Sequence, residues 1–154
     1  MRKIIFSVLL GIVPLCVSAQ EPDMASLFKA MPDSLMPYLS KNNRLDMVDF
    51  MEAKMKAEVT NLLDGRSEMT LLTPDSLSIR LSDVLRVDMK LQPTAEPIDS
   101  CHCLINVWRT YTLNEKQATC IVDTYTAAWH LLESKVSYSS LLRRDATLFS
   151  PTHF

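Results

Sequence analysis

Glycine is nearly absent: the 154-residue chain has two, Gly11 and Gly65. Phosphate-cradling loops and nucleophile elbows need glycine wherever the backbone must approach a ligand closely. Neither can be built here, which argues against nucleotide-dependent enzymes and serine hydrolases of that type. Cysteine is scarce as well, at four, too few for a disulfide scaffold. A large excess of either charge is missing, with 16 Lys and Arg against 18 Asp and Glu. That mild acidity argues against nucleic acid or an anionic membrane as a partner.

Long apolar runs are confined to the start. Arg2 and Lys3 precede an apolar stretch from Ile4 to Val17, and Val17-Ser18-Ala19 ends in a small residue. This is the layout of a signal peptide, residues 1–19, with cleavage after Ala19. The run is short for a membrane span and broken by Gly11 and Pro14. Lipidation at Cys16 ranks below simple cleavage, because bulky Leu15 stands where a small residue is expected. Cleavage leaves 135 of the 154 residues, a single domain over 20–154 with no transmembrane segment. It also removes Arg2 and Lys3, leaving 14 basic and 18 acidic side chains, a formal charge of −4. Cys101, Cys103 and Cys120 remain, an odd number, so at least one is free or pairs with another chain.

The stretch from Met31 to Met55 is the longest with helical periodicity. Asp23 is placed to cap a helix over Met24–Ala30, which Pro32 ends. Asp33 and Ser34 introduce a further turn or two towards Tyr38. Asn43 is the preferred cap of the next helix, with Ser40 as the alternative. From Arg44 to about Lys56, Leu45, Val48, Met51 and Met55 form an apolar stripe widened by Met47 and Phe50. Arg44, Asp49, Glu52 and Lys56 fall on the wet side, with Glu52–Lys56 as an i,i+4 pair.

Beyond Lys56 the period becomes two. Asp64-Gly65 predicts a type I′ hairpin, with glycine supplying the positive φ, between strands near 57–62 and 67–73. Leu77, Ile79 and Leu81 alternate with polar residues, as do Leu85, Val87, Met89 and Leu91. A turn at 82–84 pairs Ile79 with Val87 and Leu77 with Met89, gathering the apolar residues on one face. Arg80 then meets Arg86 on the wet face, with Asp88 nearby. Pro93 and Pro97 mark 92–100 as a loop. Strands are expected at 101–111 and 119–127, joined across 114–116, which sets Cys120 near residue 110. Residues 128–133 extend the last strand or turn, and 137–154 receive no assignment. The fold class is α+β: N-terminal helices packed on an antiparallel meander of about five or six strands.

Candidate chemistry is thin. Cys101-His102-Cys103 matches no zinc spacing, and alternation turns His102 away from both thiols. Met47, Met51 and Met55 form a ladder of soft ligands that suits Cu(I), though a buried stripe explains methionine better. Asp99, His102, Cys120, Asp123 and His130 offer acids, bases and a nucleophile that no spacing selects. Trp108, Tyr111, Tyr125 and Trp129 lie on the last two strands. Grouped and exposed, they would make a binding face for a protein or glycan. No cofactor is expected.

The segment MPDSLMPYLSKNNRLDMVDFMEAKMKAEVTNLLDGRSEM, followed by LTPDSLSI and DMKLQP, resembles a family of exported Bacteroidales proteins of unknown function. The match is good from Leu27 to Pro93 and looser around Tyr125 and Trp129. It implies export in a Gram-negative cell and brings no activity, cofactor or catalytic residue. Together these readings favour a non-enzymatic binding module of the periplasm or cell surface. The alternative is a small-molecule binder or enzyme with a pocket between helices and sheet.

Overall fold

A computed structural model describes residues 21–113 and 117–139. The expected signal peptide, the turn at 114–116 and most of the tail lie outside them. Two helices, α1 (Met24–Ala30) and α2 (Lys41–Glu52), flank a 3-10 turn at Asp33–Leu35. The sheet has seven strands, not five or six: β1 (Ala57–Thr60), β2 (Arg66–Leu72), β3 (Ser76–Arg80), β4 (Leu85–Ile98), β5 (Cys101–Leu113), β6 (Gln117–Thr126) and β7 (Leu131–Ser139). They form one antiparallel sheet in chain order. The α+β class holds, with the sheet dominant.

The β3–β4 register is the expected one, with Leu77 opposite Met89 and Ile79 opposite Val87. These residues, with Ile105 and Val107 of β5, make the sheet side of the core. Met24, Leu27 and Phe28 of α1 and Met47 and Val48 of α2 cover them. Asp23 caps α1, its Oδ1 accepting from Ser26 N–H at 2.8 Å. The α1 amide of Met24 donates to Pro74 O at 2.8 Å, anchoring the helix start to the β2–β3 turn.

Several expectations need correction. Ser40 caps α2, and Asn43, three residues on, reciprocates in a capping box, so the helix starts at Lys41. It ends at Glu52, leaving Met55 beyond it and exposed. Glu52 lies 3.9 Å from Lys29, while Lys56 pairs with Glu58 at 2.6 Å. Arg44 is not on the wet side but 1% exposed. Its position, three and four residues before Met47 and Val48, puts it on the buried stripe despite its charge. It donates to Leu39 O at 3.0 Å and Met31 O at 2.7 Å, and meets Asp33 at 2.8 Å. Its Nε has no partner among the described residues.

The β1–β2 hairpin forms, but not around a glycine with positive φ. Asp64 takes that conformation, at φ 58°, and Gly65 does not. The loop is built on buried Asn61, whose Oδ1 accepts from Leu63 N–H at 2.9 Å and Gly65 N–H at 3.1 Å. Its Nδ2 donates to Ser67 Oγ at 3.0 Å and Leu81 O at 3.2 Å. A Cβ on Gly65 would sit 3.2 Å from that Nδ2, so glycine is there for space.

The stretch read as a loop at 92–100 is largely strand. β4 runs through Pro93 and Pro97 to Ile98, with a register shift between Pro93 and Ile98. Its pairing with β3 stops at Lys90, so over these residues no described strand pairs with the β3 side of β4. A missing proline N–H costs nothing on an open side. Residues 128–133 turn and then enter β7, which also takes in the start of the unassigned tail.

Candidate functional site

Alternation on β5 turns Ile105, Val107, Arg109 and Tyr111 towards the helical layer. The first two are core. The layer thins beyond them, and Arg109 and Tyr111 face a cleft of about 270 Å³. Residues 34–38, which lead from the 3-10 turn to Tyr38, form its opposite wall. Leu81, Leu85 and Val87 line it from the sheet, and Asp123 and Tyr125 of β6 also border it. A smaller depression of about 220 Å³ lies at the β3–β4 turn, lined by Arg80, Arg86, Asp83 and Thr112 among others.

The cleft's polar groups are held in place. Arg109 forms an ion pair with Asp123 and donates to Leu35 O at 3.3 Å. It thereby ties the sheet to the turn that walls the cleft. Asp123 also accepts from Tyr125 Oη at 3.3 Å and from Ser134 Oγ on β7. An arginine, a tyrosine and a serine thus surround one carboxylate and occupy most of its lone pairs. Among the described residues no histidine lines the cleft. Tyr111 stands at the mouth with its ring exposed. Fixed polar groups beside an apolar floor and an exposed ring can recognise a small group.

The four aromatics do not form one face. Tyr111 and Tyr125 border the cleft, though Tyr125 is buried. Trp129 is core, 5.7 Å from Tyr125 ring to ring, with its Nε1 donating to Leu27 O of α1 at 3.1 Å. Trp108 projects from the other face of the sheet, between Asp88 and Val122. On that face Asp88 is buried rather than wet, accepting from Ser78 Oγ and from Arg86 Nε at 3.0 Å.

The acid, base and nucleophile candidates are scattered. Asp99 and His130 meet at 3.0 Å on the surface, where the Thr126 hydroxyl and His130 hold the Asp99 carboxyl below the usual range. Cys120 lies opposite Thr110, on the face away from Asp123. His102 is exposed, and its backbone N–H donates to Glu21. Burial pushes the Cys103 thiol up, with Cys101 and Glu21 adding to the effect. Burial also raises Cys120, against an opposing hydrogen bond from Thr110. All three described cysteines are free.

Met47 is fully buried, Met51 partly so, and Met55 is exposed past the end of α2, so the three share no single helical ladder. Among the described residues no group of three His, Cys, Asp or Glu could hold a metal ion. Nor, among them, is any helix long and apolar enough to cross a membrane. Arg109 escaped the sequence reading. Its signal was parity: it shares the inward register of Ile105 and Val107, two positions past the latter.

Residues 16–152 match the family described as protein of unknown function DUF3256. The chain belongs to the DUF3256 family. No curated protein matches this DUF3256 chain. Among solved structures, a domain of an uncharacterized protein from Porphyromonas gingivalis W83 is similar, at 25% identity and a TM-score of 0.58. The similarity covers 73% of the DUF3256 chain and 55% of that protein's chain, so the chain spans little more than half the neighbour's length.

Proposed function

We propose that this DUF3256 chain is a non-enzymatic binding module, exported to the periplasm or cell surface of a Bacteroidales bacterium. In this reading residues 1–19 are removed and residues 20–154 act as one domain. Its partner is a protein or glycan that places a small group, a side chain or sugar ring, in the cleft under residues 34–38. The observation that carries the reading is the ready-made cleft: Arg109 is held by Asp123 and Leu35 O, with the Tyr111 ring open at the mouth. Such a fixed set loses little freedom on binding. The charged start, apolar run and Ala19 support export, and the Porphyromonas gingivalis neighbour supports the Bacteroidales setting.

The alternative is a small-molecule binder or enzyme at the same cleft, and an enzyme would need a base or nucleophile there. The Asp123 carboxylate is taken up by Arg109, Tyr125 and Ser134, and Cys120 is on the other face. The test is capture from envelope extracts by the mature protein and by its Tyr111→Ala variant. A partner retained by the former and lost by the latter is expected. Recovery of no partner under several growth conditions, or equal recovery by both, would sink the reading.

A further inference from the structure

The sheet ends in two edges of different character. β1 is four residues long, whereas β7 runs for nine, from Leu131 to Ser139, with no proline. Residues 131–137 are all exposed, and Leu131, Leu132 and Val136 are each more than half exposed. Among the described residues nothing pairs with the outer side of β7. A long edge of this kind offers unpaired N–H and C=O groups to another strand.

The sequence of β7 specifies what that strand could be. Glu133 and Lys135 lie opposite Thr124 and Val122, on the sheet face away from the helices. Ser134 and Val136, opposite Asp123 and Ile121, take the other face. An antiparallel copy of the same strand, laid against β7 with a two-fold axis through Ser134, is complementary on both faces. Glu133 of each copy, 3.0 Å from Lys135 of its own chain, then also meets Lys135 of the other, and Leu132, at the register shift of β7, meets Val136. A shift of this register by one position would bring unlike faces together, so the charges and the apolar pair select the same alignment.

We propose that β7 is a homodimer interface: two copies of this chain join their sheets through antiparallel β7–β7 pairing centred on Ser134. The interface is isologous, each patch meeting itself. It lies two strands from Tyr111 of β5, with Ser134 Oγ donating to Asp123 at the cleft border.

Sedimentation analysis of the mature chain at micromolar concentrations tests this, with the charge pair as the probe. The wild-type chain is expected to dimerise. Lys135→Glu sets acidic side chains opposite one another twice, raising the dimer dissociation constant by about tenfold or more. The double change Glu133→Lys with Lys135→Glu restores both pairs and should return the constant to within about threefold of wild type. All these side chains are exposed, and circular dichroism will confirm that each variant is folded. A wild-type chain that stays monomeric overturns the proposal, as does a dimer indifferent to Lys135→Glu. A monomeric full chain whose truncation after Ser139 dimerises would show that residues 140–154 occupy the edge, which also overturns it.

Discussion

Replacing Arg44 by methionine should destabilise the protein far more than its place in the sequence would imply. The side chain is 1% exposed, and its guanidinium donates to Met31 O and Leu39 O at 2.7 and 3.0 Å. Methionine fills much of the same volume but donates nothing, stranding two carbonyls in the core. Each stranded group costs about 1–3 kcal/mol. Losing the Asp33 contact adds little, because that carboxylate is 72% exposed. Relief from burying a charge works the other way. It is incomplete here, because the acceptors belong to the main chain and no side-chain change removes them. The net expectation is a loss of about 2–4 kcal/mol. At roughly 3–5 °C per kcal/mol for a domain of this size, the melting point falls by about 10 °C. Urea denaturation followed by tryptophan fluorescence, with Trp129 buried in the core, gives the free energy directly. Arg44→Lys should also be costly, since a point-like ammonium cannot span three acceptors as a planar fork does. If Arg44→Met lies within about 0.5 kcal/mol of wild type, as surface changes do, the reasoning fails.

Three further perturbations probe other parts of the fold. Asn61→Ala removes four hydrogen bonds at the β1–β2 loop, and should cost about 2–4 kcal/mol in the same denaturation assay. Asp23→Ala should cost about 1 kcal/mol near neutral pH through loss of the α1 cap. Hydrogen bonds from Ser26 hold the Asp23 carboxyl below the usual range. Its contribution is therefore complete above the unfolded-state value and lost as pH falls through the folded one. The gap between wild type and variant should close on acidification, and a gap that is constant down to strong acid would contradict the assignment. Cys103 and Cys120, their thiols raised by burial, should alkylate more slowly than a free thiol at mildly alkaline pH. Mass mapping of the labelled peptides checks this, and rapid labelling of either would count against it.

Elements that write their own period were legible in the sequence. The β3–β4 register came from two alternating runs that had to share a face, and the α1 cap from Asp23 ahead of an apolar turn. The opposition of Cys120 and Thr110 came from the position of one turn. What escaped depends on distant context. β7 is exposed along 131–137, so no buried face imprints a period of two, and its irregularity near Leu131 blurs the rest. Pro93 and Pro97 read as loop because only the sheet reveals that no described strand pairs with one side of β4 there. Arg44 sat on the stripe by position and was assigned to water by chemistry. Its acceptors are carbonyls at 31 and 39, which no local pattern announces.

The cleft was the least legible feature, being assembled from residues 34–38, 81–87 and 109–125. Tyr111 and Tyr125 were singled out as aromatics, while Arg109, which holds the wall, was not. Arg44 and Arg109 together explain why this wall keeps its shape. One binds the carbonyls of Met31 and Leu39 at its two ends, and the other binds that of Leu35 between them.

That the cleft receives a partner is tested most directly by a photo-crosslinking amino acid in place of Tyr111, introduced in the native cell. The same group in place of exposed Glu96, on the far part of β4, is the control. Irradiation should yield a defined adduct with an envelope component from position 111 and none from 96. No adduct from 111, or the same adducts from both positions, would contradict the account.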